Sequence, residues 1–167
     1  MMRVLVMLSL AMATPAIAQS GDPTVGFTLD DRVMNAAIAE AQHSLPLFLC
    51  ETVDDEGYGP EGGFVKVRVP VNPSRNEHEI IWVGPFAAWD SQNFAGFLAN
   101  QPNAIDGMNR GDQLDFTYDM IVDWSWNDPK GNIYGHYTTR VIYEMQGQTD
   151  VLADFATPPF DATWSCE

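Results

Sequence analysis

Gly63-Phe64-Val65-Lys66-Val67-Arg68-Val69-Pro70, Val71-Asn72-Pro73-Ser74-Arg75-Asn76 and Glu77-His78-Glu79-Ile80-Ile81-Trp82-Val83-Gly84-Pro85 run consecutively, and residues 63–85 decide the fold. Val65, Val67 and Val69 alternate with Lys66 and Arg68, the period-two signature of a half-buried strand, which Pro70 should end. Residues 72–76 read as a turn. Glu77 to Val83 forms the next strand, with Ile81 and Val83 on one side and His78, Ile80 and Trp82 on the other; Gly84 and Pro85 should close it. Two short strands joined by a tight turn pair antiparallel.

Further strands follow in hairpin order. Phe94 to Ala99 is the third, and Gly96 within it signals a bulge or a close backbone approach. Gln113 to Tyr118 is the fourth, introduced by Gly111-Asp112. Ile121 to Trp126 is the fifth, turned by residues 127–131. Residues 133–145 suit either strand or helix, and the balance favours a short strand followed by a helix. Upstream, Met34, Ala37, Ile38, Ala41 and Leu45 recur at helical spacing, with Thr28 as a plausible cap and Asp30 and Asp31 in the first turn. Pro46 should end or kink this helix, with a further short turn over 46–50. The expected class is α+β: an N-terminal helix packed on a curled, mainly antiparallel sheet of about five strands, plus a further C-terminal helix where residues 133–145 take that form.

The chain has 167 residues, one ordinary domain, and is 46% hydrophobic with five Trp, five Tyr and nine Phe. That composition supports a packed core and argues against disorder. Arg3, the apolar run Val4 to Ala13 and the small-x-small Ala16-Ile17-Ala18 read as a signal peptide over residues 1–18, cleaved to leave Gln19. The run falls well short of a membrane span, so an anchor is disfavoured and no membrane insertion is expected after cleavage. Residues 19–28 form a polar lead-in and 29–167 a single domain. Without Arg3, 7 basic side chains face 23 acidic ones, a net charge of −16. Such a field repels nucleic acid and anionic lipid and suits a cationic partner. The expected compartment is the periplasm. There the only two cysteines, Cys50 and Cys166, should form a disulfide; closing so long a loop is valued at about 4–5 kcal/mol. The tail that bears Cys166 looks irregular.

The ordered blocks resemble a known family. Residues 36–42 with Ser44-Leu45-Pro46, residues 64–67 with Pro70, residues 79–83, residues 94–100 with Pro102, Gly111-Asp112, Asp123-Trp124, and Gly135 with Tyr137-Thr138 and Arg140-Val141 resemble the YegJ-like bacterial family, a domain of unknown function. The resemblance covers about residues 31–143. It implies an α+β domain, often exported or attached to other modules, and carries no assigned catalytic residues. His136 stands where a small residue is expected, and the cysteine-bearing tail departs from the pattern.

No segment presents a cofactor or metal motif, so neither is expected. Gly57 to Gly62 matches G-x-G-x-x-G literally, but Pro60 interrupts it and a strand follows. The acids of the same loop lack the alternating spacing that wraps calcium. His78 between Glu77 and Glu79 is a candidate general base, more simply an exposed strand residue. Asp123, among Ile121, Val122, Trp124 and Trp126, should be paired, and Arg140 is the expected partner. The sharper alternative is a ligand pocket floored by Asp123 and Arg140 and walled by Trp82, Trp124 and Trp126. The function expected first is a non-catalytic binding or interaction module for a small ligand or a cationic protein. The alternatives are an inhibitor or immunity-type protein acting on a cationic enzyme, and an envelope hydrolase using His78 or Asp123.

Overall fold

The computed structural model describes residues 31–166. The leader, the lead-in and the expected Thr28 cap lie outside the described residues. The chain runs α1 (Arg32–Thr52), β1 (Gly63–Asn72), β2 (Glu77–Ala88), β3 (Asn93–Leu98), β4 (Gln113–Thr117), β5 (Ile121–Asn127), β6 (Ile133–Gly135), α2 (Tyr137–Met145) and α3 (Thr149–Leu152). The six strands form one sheet in the order β4-β3-β2-β1-β5-β6, each pair antiparallel. The α+β class holds, and the sheet has six strands where about five were expected, the sixth being the short one in residues 133–145. The ambiguous segment resolves as the short strand β6 followed by the helix α2.

Asp31 caps α1: its carboxylate accepts from the N–H groups of Val33 and Met34, satisfying donors that a helix start leaves open. Pro46 does not end the helix, which continues to Thr52. An interior proline forfeits one backbone hydrogen bond and crowds the preceding turn, at about 3 kcal/mol. Leu45 and Phe48 are buried on either side of it, and each such burial stabilises by about 1.5–3 kcal/mol, so packing holds the helix through the defect. From there the disulfide Cys50–Cys166 joins the last turns of α1 to the C-terminal tail, its Cα atoms 5.9 Å apart.

The core lies between α1 and one face of the sheet. Ala41, Leu45 and Phe48 meet Val65, Val67, Ile81, Val83, Phe94, Leu98, Ile121 and Trp124. Trp124 stacks on Phe48 with centroids 4.5 Å apart, and its indole N–H donates to the Ala41 carbonyl and the Ser44 hydroxyl. A smaller cluster of Met34, Ile38, Val122, Val141 and Ile142 seats α2 against the first half of α1.

Two expectations about strand ends are corrected. β1 passes Pro70 to Asn72, and β2 passes Gly84-Pro85 to Ala88. Pro85 sits where the β2–β3 register shifts between Val83 and Phe86, so its missing N–H falls at an irregularity rather than inside a regular ladder. Gly96 lies against the same irregularity: a Cβ there would stand 2.6 Å from Val83 Cγ1 and 2.9 Å from the Pro85 carbonyl oxygen. Gly96→Ala is therefore expected to lower stability by about 1–3 kcal/mol, the range for overpacked sites, read as a shifted midpoint in equilibrium urea unfolding. An unchanged midpoint would show that the strands have room to part.

Candidate functional site

The site grows from a cross-strand row on the sheet face away from α1. Trp82 on β2 pairs with Lys66 on β1, and Lys66 pairs with Asp123 on β5. Beyond that row Val67 pairs with Ile121, so Val122 is an extra residue in β5. This bulge returns Ile121 to the core while Asp123 keeps the outer face.

Lys66 and Asp123 are both buried, at 6% and 1% exposure, against the sequence alternation that groups Lys66 with the half-exposed Arg68. The reason is α2, which begins directly above them. The Asp123 carboxylate accepts from the N–H of Tyr137 at 3.1 Å, the N–H and hydroxyl of Thr138, and its neighbour's N–H at Trp124. The residue preceding α2, His136, provides no side-chain cap, so Asp123 caps the helix from another strand and places an anion at the positive end of its dipole. The Lys66 ammonium donates to the Thr138 hydroxyl at 3.0 Å and lies 4.3 Å from the centre of the Trp82 ring. Thr138 thus passes its proton towards Asp123 and accepts one from Lys66. Burial pushes the Asp123 carboxyl above its ordinary value, and the Lys66 charge and the bonds from Thr138 and Trp124 pull against that shift.

Above this row lies an open cleft of about 540 Å³, bounded by Phe64, Trp82, Asn100, Asn127, His136 and Tyr143 among others. His136 adopts a left-handed backbone, φ 58° and ψ 33°, uncommon for any residue but glycine. Its N–H donates to the Trp124 carbonyl and its carbonyl accepts from Arg140 N–H. Its ring meets Trp82 edge-on at 5.3 Å and Phe155 at 5.2 Å. Backbone held in this region costs about 1–3 kcal/mol and persists where surroundings over-determine it.

Arg140 provides much of that constraint. Its Nε donates to the Gly135 carbonyl and its Nη2 to the Ala156 carbonyl, while its guanidinium lies 4.9 Å from the Phe155 ring centre. It clamps the turn before α2 to the tail and does not bond Asp123, so the expected Asp123–Arg140 ion pair is replaced by the Lys66–Asp123 row.

The expected pocket is thereby taken apart. Trp82 lines the cleft. Asp123 lies sealed beneath the start of α2. Trp124 is wholly buried on the α1 face. Trp126 faces the tail, where it packs with Tyr134 and Trp164 and donates to the Glu61 carbonyl. His78 is exposed at the far end of β2, bonded to the Asn76 carbonyl, and lines none of the cavities seen. The cleft residues that sequence reasoning missed, Phe64, Asn100, Asn127 and Tyr143, come from four separate segments with no shared spacing. His136 alone left a trace, as a bulky side chain where a small one was expected.

The family model for DUF2314, described as an uncharacterized protein conserved in bacteria, matches residues 31–155. No curated protein and no solved structure matches the chain.

Removing one partner of a buried charge pair costs about 3–5 kcal/mol, whereas replacing both with apolar groups is often near neutral. Lys66→Met and Asp123→Leu should each destabilise on that scale in urea unfolding. The double variant should lose less than their sum by at least about 1 kcal/mol, the coupling expected for contacting residues. Additive losses would show that the two do not act as a pair.

Proposed function

We propose, since this chain belongs to the bacterial family DUF2314, a function read from the site itself: a non-catalytic binding module whose cleft takes a small uncharged ligand with a flat apolar face and hydroxyl or amide groups, the chemistry of a neutral saccharide. One observation carries it. In a chain with 23 acidic residues, the cleft is bounded by aromatic rings, amides, two hydroxyls, one imidazole and aliphatic groups, with no carboxylate, ammonium or guanidinium among its lining residues. Its volume falls in the range of small-molecule sites. The half-buried rings of Phe64 and Tyr143 offer apolar faces beside the edge of the buried Trp82, and Asn100 and Asn127 offer donors and acceptors. Apart from the His136 imidazole, a charged ligand would find no counter-charge on these walls.

The hydrolase alternative draws no support from this geometry, because His78 and Asp123 share no cleft and Asp123 spends its lone pairs on the α2 cap. The inhibitor or immunity-type alternative rests on net charge rather than on the cleft. The finer YegJ-like kinship, export and periplasmic residence belong to the same proposal. They are supported by the ordered sequence blocks, the Arg3–Ala18 leader pattern and the Cys50–Cys166 disulfide, which suits an oxidising compartment.

Titration of the ¹⁵N-labelled protein with a panel of neutral mono- and disaccharides and their phosphorylated counterparts tests the cleft. The neutral sugars should shift the Trp82 indole and the His136 and Tyr143 amides, the phosphorylated forms less so, and Asn127→Ala should weaken the response several-fold. Shifts scattered elsewhere, or a preference for the phosphorylated forms, would sink the proposal. Separately, mass spectrometry of the native protein should find Gln19 at the N-terminus; an intact Met1 with free thiols would remove export from it.

A further inference from the structure

The far end of the outer sheet face holds a second concavity, of about 300 Å³, whose floor includes Ala87 and Ala95 and whose walls are Tyr58, Trp89 and Phe97. These three rings are 62%, 64% and 45% exposed, a concentration of uncovered aromatic surface of the kind that marks interaction sites. Gln113, the first residue of β4, completes the wall and pairs across the sheet with Phe97.

β4 is an edge strand. Leu98 and Asp112 bond at one end of its ladder, as do Gln92 and Tyr118 at the other. Antiparallel alternation then turns the N–H and C=O groups of Gln113, Asp115 and Thr117 away from β3. Among the described residues no backbone group meets them. The opposite edge is treated differently: the tail covers β6 through Ala156 N–H to the Ile133 carbonyl and Gly135 N–H to the Pro159 carbonyl. An uncovered edge is a template for another strand.

The segments around the groove, residues 54–61, 85–97 and 112–119, carry eight acidic side chains and no Lys, Arg or His. Asp115 lies exposed on β4 itself. That charge disfavours a second copy of this chain, which would bring Asp115 and the same acids against one another. It favours a cation.

We propose that β4 receives an extended cationic segment of a partner protein as an added strand, its alternate basic side chains on the outer face, where their charged ends meet Asp115 and its neighbours and their aliphatic stems lie towards Phe97 and Trp89. Main-chain hydrogen bonds to Gln113, Asp115 and Thr117 provide affinity, and the groove and the acids provide selectivity. The surface is separate from the Trp82–His136 cleft and does not depend on what that cleft binds.

A blocked peptide of about eight alternating Lys and Val residues and its Glu-for-Lys counterpart are the probes, titrated calorimetrically at low and high salt. The Lys peptide should bind at low salt, weaken steeply with added salt, and protect the Gln113, Asp115 and Thr117 amides from hydrogen exchange. Thr117→Pro removes one outward N–H and none of the ladder bonds, and Trp89→Ala removes an exposed ring. Each should weaken binding about tenfold, about 1.4 kcal/mol, with His78→Ala, an exposed change at the other end of β2, binding as the wild type does. Trp89→Ala keeps the test intact should Thr117→Pro misfold. Equal binding of the Glu peptide, indifference to both variants, or a sedimenting dimer that Trp89→Ala disperses would each overturn the proposal, the last by assigning the edge to a second copy.

Discussion

A buried carboxylate that caps a helix from a neighbouring strand sets the arrangement of the outer half of this molecule. Asp123 collects the first free N–H groups of α2, and Lys66, one strand away, balances its charge while lying against Trp82. A buried ion of this kind is costly unless each of its hydrogen-bonding positions is used. The cost is met here only when α2 starts directly above β5, when the β5 bulge keeps Asp123 on the outer face, and when Thr138 bridges the two charges. The pair therefore specifies a geometry more than it adds stability. Moving α2 by a turn would strand both charges.

From that geometry follow the two faces of the sheet. The α1 face is closed and apolar, with Phe48 stacked on Trp124 and the indole N–H satisfied within α1. The outer face cannot be closed in the same way, because α2 meets it only through its first turn, over Lys66 and Asp123. What remains is the cleft beside His136 at one end and the aromatic groove beside β4 at the other. The strained turn at Gly135-His136 joins strand to capped helix, and Arg140 holds it by bonding the Gly135 carbonyl within it and the Ala156 carbonyl of the tail.

The C-terminal tail is more than a tether. The family match ends at residue 155, yet beyond it Pro159 extends the covering of the β6 edge and Trp164 joins Trp124, Trp126 and Tyr134 in one aromatic group. The disulfide spans 116 residues of sequence. A crosslink of that span removes a large share of unfolded-chain freedom, and it also holds Trp164 against the core.

Read alone, the sequence determined what local periodicity and composition encode: the α1 face from Met34 to Leu45, the alternation in β1 and β2, the close approach at Gly96 and the pairing of the only two cysteines. These follow from interactions between near neighbours or from the absence of choice. The site was not legible in that way. Alternation placed Lys66 beside Arg68, because nothing within the strand records that a helix more than 70 residues away folds back over one of them. Asp123 was recognised as needing a partner, but Arg140 was the partner suggested by chemistry and Lys66 the one chosen by the β1–β5 register. Of three tryptophans that look alike in sequence, strand parity puts Trp82 on the outer face and Trp124 and Trp126 on the other, where α1 covers the first and the tail the second. Tertiary structure alone decided these placements, since a buried charge and a strand's second face are defined only by what the rest of the chain lays against them.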